Sequence, residues 1–268
     1  MSDDPAETPF VAGMYDYYLG GSANSPADRV AVDRIRAVLP EIPLVAWANR
    51  GFLQRAVTRM ASEWGIKQFL DIGAGLPTQR NTHEVVGQVI PDGRVVYVDI
   101  DPKVIERGRE MLAAVDNTAV IQGDVRQPDD ILDHPQTRQL IDLDKPVGLL
   151  LVAVTQFIPD ADDPWAIVRT YRDRIASGSY LALSAPTGDH QPERILEAIR
   201  SVYGKTPTAA KDRTRQEIAR FFDGFDILPP YEGAEPVLTY VGQFGAEDPA
   251  AADDDASRWF YAAVGRKL

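Results

Sequence analysis

From residue 67 onward, short apolar runs of strand length alternate with segments whose apolar residues recur at helical spacing. This alternation is typical of βαβ units, in which parallel strands are joined through helices packed on the sheet. It predicts a doubly wound α/β fold with a mostly parallel sheet. The predicted strands span residues 68–72, 94–98, 118–121, 147–154 and 180–184, and the predicted helices span residues 82–90, 102–115, 128–132 and 164–175.

The end of the chain departs from this alternation. A helix is predicted over residues 215–222, because Thr214 and Glu217 have the spacing of a capping box and Gly224 is a suitable helix stop. Two further strands, residues 225–228 and 259–264, follow with no helical segment between them. Consecutive strands of this kind favour antiparallel pairing, so we predict an antiparallel closure of the otherwise parallel sheet.

The segment before the first strand has apolar residues at helical spacing, which predicts two helices. The first begins near Ser25 and Pro26 and is stopped by Pro40, and the second ends at Gly65. We therefore predict two parts, an N-terminal helical lid over residues 1–64 and a Rossmann-like domain over residues 65–268. The apolar faces would contain Val30, Ile35, Val38 and Leu39 in the first helix, and Leu44, Trp47, Phe52, Leu53, Val57 and Met60 in the second.

Charge and composition exclude several classes of function. Forty acidic and 28 basic residues give a formal charge of −12, which disfavours nucleic acid as a partner. The chain has no cysteine, and its three histidines, His83, His134 and His190, lack metal-ligand spacing, so we predict no metal site. The longest apolar run, residues 147–154, is too short to cross a bilayer, and the first residues lack the order of a secretion signal. We expect a cytoplasmic protein that does not bind membranes.

A glycine-rich turn over residues 71–78 follows the first predicted strand, where doubly wound folds bind nucleotides. Gly73, Ala74 and Gly75 would let the backbone approach a ligand closely. A dinucleotide site needs a third glycine where Thr78 stands, and Asp71 would repel a pyrophosphate. A methionine moiety with an ammonium and a sulfonium suits this acid, so the turn predicts S-adenosylmethionine as the cofactor.

Two further acids follow the next strands at the same edge of the sheet. Asp99, with Ile100 beside it, ends the second strand and is predicted to accept hydrogen bonds from the two ribose hydroxyls of adenosine. Asp101 is the alternative for that role, although it also precedes Pro102 as a helix cap, the role we prefer for it. Asp124, with Val125, follows the third strand and is predicted to contact the adenine amino group.

Several motifs together resemble a bacterial family of predicted S-adenosylmethionine-dependent methyltransferases within the class I superfamily. These motifs are residues 15–21 (YDYYLGG), 48–50 (ANR), 69–78 (FLDIGAGLPT), 95–99 (VVYVD) and 149–154 (LLLVAV), and the resemblance covers nearly the whole chain. It implies a seven-stranded sheet with an antiparallel last strand, a cofactor at the strand ends and a helical cover. It implies no particular substrate.

The resemblance also implies where methyl transfer takes place. Class I enzymes put the residues after the fourth strand against the adenine and the transferred methyl group, which indicates Val154, Thr155 and Gln156. Phe157 is either an apolar wall of this site or, with Ile158, part of the core, and we prefer the core for both. Tyr15 and Tyr18 are either core residues or part of a lid that closes over the cofactor and lines the acceptor pocket. The catalytic candidates are therefore Tyr15, Tyr18 and Gln156. His83 follows the predicted helix cap Asn81, and a capping or surface role suits it better than general-base catalysis.

The favoured function is transfer of a methyl group from S-adenosylmethionine to a small molecule by in-line displacement, for which positioning supplies much of the rate. Two alternatives come from other classes. One is an NAD-dependent oxidoreductase, which the acid at position 71 and the missing third glycine oppose. The other is a regulatory protein that binds S-adenosylmethionine without catalysis, because a fold sets a site and not a reaction.

Overall fold

The computed structural model describes residues 8–204 and 210–268. Within these ranges one sheet contains β1 (Gln68–Ile72), β2 (Arg94–Asp99), β3 (Thr118–Gln122), β4 (Gly148–Val152), β5 (Tyr180–Pro186), β6 (Phe225–Ile227), β7 (Thr239–Tyr240) and β8 (Phe260–Lys267). The strand order is β3-β2-β1-β4-β5-β8-β6, and β7 pairs with β8.

The sheet confirms the predicted doubly wound topology with an antiparallel last strand. β1 to β5 pair in parallel, and β8 lies antiparallel between β5 and β6. The described sheet has eight strands where the resemblance implies seven. The additional strand is β7, whose two residues are too few to produce an alternating pattern in the sequence.

The described helices are α1 (Val11–Tyr18), α2 (Pro26–Arg36), α3 (Ile42–Ser62), α4 (Thr82–Val89), α5 (Pro102–Met111), α6 (Pro128–Leu132), α7 (Pro135–Leu140), α8 (Pro164–Arg174), α9 (Glu193–Tyr203) and α10 (Arg215–Ala219). α2 begins at Ser25, whose hydroxyl accepts the Asp28 N–H while the Asp28 carboxylate accepts the Ser25 N–H. The predicted capping box of Thr214 and Glu217 is confirmed at α10, although the predicted helix continues beyond Ala219 only as a 3₁₀ turn.

Alternating side chains of the central strands form a core on each face of the sheet. On one face, Leu70 packs with Leu149 and Leu151. On the other, Phe69 and Leu150 pack against apolar side chains of α3. The buried residues of α3 in this second cluster are Phe52, Leu53, Ala56, Val57, Met60 and Ala61.

The predicted apolar faces of the N-terminal helices are confirmed in part. The predicted residues that are buried are Ile35, Leu39, Phe52, Leu53, Val57 and Met60. Val30, Leu44 and Trp47 are exposed, whereas Asn49 and Arg50 are buried. The expectation was therefore wrong for Val30, Leu44 and Trp47, and the inner side of α3 includes polar side chains that a hydrophobic pattern cannot identify. α1, α2, α9 and Trp259 enclose a third apolar cluster, which includes Met14, Ile35, Val45 and Leu196. Within the described residues, no helix combines the length and apolar character needed to cross a bilayer.

Candidate active site

A cavity of about 880 Å³ lies at the C-terminal ends of the parallel strands. Its floor includes Asp71 of β1, Asp99 of β2, Asp124 after β3, Val152 of β4 and Pro186 of β5. Ligands of open α/β sheets bind at this edge, because the strand order reverses there and opens a crevice. α1, α3 and α9 contribute the walls on the other side.

The glycine-rich turn crosses the floor of this cavity. The N–H groups of Gly73 and Ala74 both donate to the Val98 carbonyl, at 2.8 and 3.1 Å, which holds the turn against β2. Gly73 and Gly75 have φ angles of +70° and +64°, a region that favours glycine. A Cβ at Gly73 would also lie 2.7 Å from Cβ of Val154, so the turn and the segment after β4 fit closely only without a side chain there.

Asp99 faces the cavity and is joined to the glycine turn. One carboxylate oxygen accepts the Gly75 N–H at 2.9 Å, and the other accepts the Asp101 N–H at 3.0 Å. Burial raises the pKa of Asp99, and these backbone hydrogen bonds oppose the rise. Asp101 instead accepts the Lys103 N–H at 2.8 Å and caps α5, as predicted. Of the two candidate acids, Asp99 therefore has the more suitable position for a ribose.

Two buried charged residues, Asp71 and Arg50, line the cavity. Asp71 accepts a 2.6 Å hydrogen bond from the Thr82 hydroxyl. Burial raises its pKa to about 6, against the opposing effects of the Thr82 hydrogen bond and the charge of Arg50. Arg50 donates to Oδ1 of Asn81 at 2.8 Å, yet no described residue accepts a hydrogen bond from its buried Nε. The lining of the cavity therefore includes both a carboxylate and a guanidinium with unused donor capacity.

Arg50 was not among the predicted site residues. It belongs to residues 48–50, one of the motifs that carry the family resemblance, but helical spacing places it in a segment dominated by apolar residues. The structure shows that it lines the cavity at 5% exposure, with its guanidinium 5.6 Å from the ring centre of Tyr15. A buried cation on a helix outside the Rossmann-like sheet has no spacing signature, so only the motif could have indicated it.

The third predicted acid, Asp124, lines the cavity beside Val125 but is already engaged. Arg126 donates to both of its carboxylate oxygens, with the shortest contact at 2.6 Å. Burial raises the pKa of Asp124, but the hydrogen bonds and charge of Arg126 outweigh this effect and the pKa lies below the usual value. Ile100 is half-exposed at the same side of the cavity. An adenine amino group would therefore have to compete with Arg126 for the carboxylate of Asp124.

Thr78 connects the glycine turn to the N-terminal helices. Its hydroxyl donates to Asp16 of α1 at 2.8 Å, and the other oxygen of Asp16 accepts from the Ala23 N–H and the Asn24 side chain. Asp16 is 2% exposed. Gly21 lies so close to this carboxylate that any side chain there would overlap it, which explains a glycine at that position. One buried acid therefore joins α1 and the loop before α2 to the turn.

The segment after β4 brings Val154 and Gln156 into the cavity but not Thr155. Thr155 is fully buried and its side chain lies outside the lining. Ile158 is a core residue as predicted, whereas Phe157 is half-buried and lines the cavity, so its assignment to the core was wrong. The segment is held by Arg213, a fully buried residue that donates to the carbonyls of Thr155 and Ile158, each at 2.8 Å.

Of the remaining candidates, the two tyrosines line the cavity and the histidine does not. Tyr15 and Tyr18 line it, together with Leu196, Ile199 and Tyr203 of α9, which were not predicted. The described lining includes no histidine. His83 instead contacts the Tyr97 hydroxyl at 2.7 Å, and its pKa is lowered by burial against the charge of Glu84. Within residues 8–204 and 210–268, acidic and histidine side chains form no group of three suited to a metal ion.

The strand order, the glycine turn and an acid at the end of β2 together define a class I methyltransferase fold, with the cavity at the strand ends as its candidate site. A family model described as S-adenosyl methyltransferase matches residues 4–268, and the chain belongs to this family. The protein is accordingly an S-adenosylmethionine-dependent methyltransferase.

Two solved structures are similar over almost their whole length. A predicted methyltransferase from Thermobifida fusca is 37% identical, with a TM-score of 0.88 over 98% of this chain and 96% of its own. A DUF574 family protein from Streptomyces avermitilis is 36% identical, with a TM-score of 0.88 over 97% of this chain and 98% of its own. No curated protein matches the chain. None of these findings supports an oxidoreductase or a non-catalytic protein.

Proposed function

We propose that the protein transfers a methyl group from S-adenosylmethionine to a small molecule by in-line displacement. The observation that carries this proposal is a single cavity that contains both a cofactor-sized set of polar groups and a further apolar part without an assigned ligand. The acidic surface expected from a net charge of −12 disfavours nucleic acid as the acceptor. When bound, S-adenosylmethionine supplies a methyl group on a positively charged sulfur, which becomes a thioether as the methyl passes to a nucleophile and the nucleophile's proton to solvent.

The residues of the cavity fit this cofactor. Asp99 has acceptor capacity on both oxygens for the ribose hydroxyls, beyond the backbone N–H groups it already holds. Arg50, whose buried Nε lacks a described partner, is suited to the carboxylate of the methionine moiety, and ionised Asp71 to its positive charges. Gly73 and Gly75 leave the turn bare of side chains where the ligand would lie. Ala74, Thr78, Ile100, Val125 and Val154 complete our assignment of the cofactor site.

Calorimetry tests the cofactor, and turnover tests the reaction. We expect S-adenosylmethionine and S-adenosylhomocysteine to bind and NAD to give no heat. Incubation with S-adenosylmethionine and a library of small molecules should release S-adenosylhomocysteine with at least one of them. Binding of NAD in preference to S-adenosylmethionine would contradict the proposal. Transfer only to a protein or a nucleic acid would contradict the small-molecule acceptor.

The affinity for S-adenosylmethionine should depend on the protonation of Asp71. Its pKa is raised to about 6, so the carboxyl group takes up a proton as the pH falls through that value and no longer attracts a cation. Affinity should therefore fall below about pH 6, and more steeply for S-adenosylmethionine than for S-adenosylhomocysteine, which lacks the sulfonium charge. Isothermal titration across this range measures both slopes.

The free protein should respond to Asp71 with the opposite sign. Because the folded-state pKa lies above the unfolded value of 3.8, the native state binds more protons between these two values, and the contribution of Asp71 to stability rises as the pH falls through about 6. Asp71→Asn should remove both pH dependences while Thr82, Arg50, Asp99 and Tyr97 remain around the site. An unchanged affinity profile in this variant would contradict the role of Asp71.

We further propose that residues 1–64 act as a cover over the cofactor site; residues 1–7 of this segment lie outside the described residues. Asp16 joins α1 to Thr78 of the glycine turn, so a ligand that orders the turn would also order α1. Binding of S-adenosylhomocysteine should slow amide exchange over Val11–Tyr18, and Asp16→Ala should abolish that slowing. Hydrogen exchange measured by mass spectrometry provides the test. Exchange in α1 that is indifferent to ligand in the wild-type protein would contradict a cover.

A further inference from the structure

Beyond the proposed cofactor residues, the cavity continues between α1, α3, α9 and the segment before β8. We call this part the acceptor compartment and define it by Tyr15, Val45, Gln156, Leu196, Ile199 and Trp259. Its walls are formed by apolar and aromatic side chains from regions far apart in the sequence. Val45, Leu196 and Trp259 belong to the same buried cluster, with Tyr15 and Ile199 packed against it. The shape of the compartment is therefore fixed by the packing of this cluster.

The charged groups of α9 and the segment after it that lie beside this compartment, Arg200 and Asp212, are paired with each other. Arg200 of α9 donates to both carboxylate oxygens of Asp212, at 3.0 and 3.1 Å, and to Glu193 at 2.8 Å. A charged acceptor would have to be desolvated between apolar walls, because Arg200 is already paired and Arg50, which lies beside Tyr15, is assigned to the carboxylate of the cofactor. The compartment thus favours a neutral molecule. Its aromatic lining favours a planar ring, which can stack on or pack edgewise against these side chains.

Most polar groups of the compartment satisfy one another. The Tyr15 hydroxyl donates to the Ala46 carbonyl and accepts from the Asn49 amide, each at 3.1 Å. Oδ1 of Asn49 accepts from the Ser184 hydroxyl at 2.6 Å. These hydrogen bonds satisfy the Tyr15 hydroxyl and the Asn49 oxygen without a ligand. Tyr15 is therefore better suited to shaping the compartment than to taking a proton from the acceptor.

Gln156 is different. Its Nε2 donates to the Ala153 carbonyl at 2.7 Å, which fixes the orientation of the amide, while its buried Oε1 accepts from no described residue. Leaving a buried acceptor without a donor is unfavourable, so this oxygen is suited to a ligand O–H or N–H. Gln156 lines the cavity two residues after Val154, whose side chain lies against Gly73 of the glycine turn, so this segment runs from the proposed cofactor residues towards the acceptor compartment.

We infer that the acceptor compartment takes a neutral, planar aromatic molecule bearing a hydroxyl or amino group, which donates its O–H or N–H to Oε1 of Gln156. This inference rests on the proposed function and specifies its substrate class. The hydrogen bond would hold the nucleophilic atom at the junction of the two parts of the cavity. Gln156 is then a substrate-binding residue that orients the nucleophile, and the amide need not act as a base.

Three probes of one shape test the inference on the full chain saturated with S-adenosylhomocysteine. 2-Naphthol carries the donor, 2-methoxynaphthalene lacks it, and 2-naphthoate is charged. By calorimetry we expect 2-naphthol to bind about tenfold more tightly than the ether, and the carboxylate to bind at least tenfold more weakly than 2-naphthol. Gln156→Leu should reduce the affinity for 2-naphthol to that for the ether and leave the ether unchanged.

A second variant keeps the test independent of Gln156. Ile199→Glu puts a charge into the wall of the compartment and should abolish binding of 2-naphthol, while S-adenosylhomocysteine binds within twofold of wild type because Ile199 lies outside the proposed cofactor residues. Equal affinity for 2-naphthol and its ether, preference for 2-naphthoate, or no binding of 2-naphthol to the loaded protein would overturn the inference. Failure of S-adenosylhomocysteine to bind at all would overturn the proposed function, and the inference with it.

Discussion

Asp99→Ala should weaken S-adenosylmethionine binding by about 1–3 kcal/mol, or roughly 5- to 150-fold, because the ribose hydroxyls lose their acceptor in a buried site. The loss should lie towards the upper end of this range, since the same carboxylate also accepts the Gly75 N–H and thereby holds the glycine turn in shape. Isothermal titration with S-adenosylmethionine and S-adenosylhomocysteine measures the effect, which should be similar for both ligands.

Asp101→Ala provides the matched control. This change removes the cap of α5, which should lower the free energy of unfolding by about 1 kcal/mol while leaving cofactor affinity close to wild type. Thermal denaturation and titration of the two variants separate stability from binding. If Asp101→Ala abolished binding while Asp99→Ala retained it, the ribose assignment would be wrong.

Gly73→Ala should reduce cofactor affinity on the order of 100-fold, because it combines a left-handed backbone penalty with a steric overlap. The added methyl group would meet Val154 at a distance that requires the turn or the segment after β4 to move. Gly75→Ala has nearly the same backbone conformation, but its methyl group would contact only Ala12, at an ordinary 3.7 Å. Its loss of affinity should be smaller, because it arises from the backbone penalty and from crowding of the ligand, without an overlap inside the protein.

Comparing Gly73→Ala with Gly75→Ala separates the effect of the backbone conformation from that of the overlap with Val154. Combining Gly73→Ala with Val154→Ala should recover part of the lost affinity, since the smaller side chain relieves the overlap but not the backbone penalty. Titration with S-adenosylhomocysteine, with circular dichroism as a control for folding, measures all three variants. Equal losses for Gly73→Ala and Gly75→Ala, without recovery in the double variant, would show that the overlap with Val154 is unimportant.

The sequence predicts the sheet well because its signals are local. β1 was predicted with the bounds that the structure has, and the shift from helical spacing to strand-length runs at residue 67 marks the start of the sheet. The glycine turn and Asp99 could be predicted for the same reason. Both lie at the carboxyl ends of strands, and the ends of parallel strands meet at one edge of the sheet. Position along the chain was enough to bring them together.

The residues that form the walls of the cavity could hardly be predicted from the sequence. Leu196 and Trp259 are apolar residues in unremarkable segments, and nothing in their neighbours indicates that they face Tyr15 across a cavity. Their proximity follows from tertiary packing between elements that are distant in the sequence. Arg213 was not predicted for a related reason, because an isolated arginine usually lies at a surface. Here its hydrogen bonds to two carbonyls offset the free-energy cost of burying its charge.

The position of β8 has a consequence for how the protein reaches its native state. This strand is translated after all the other described strands, yet it lies inside the sheet, between β5 and β6. Until it emerges from the ribosome, β5 has an open edge of seven residues, and the short β6 has no neighbour in the sheet. During that interval a nascent chain would therefore expose an unpaired sheet edge, and such edges are prone to aggregation.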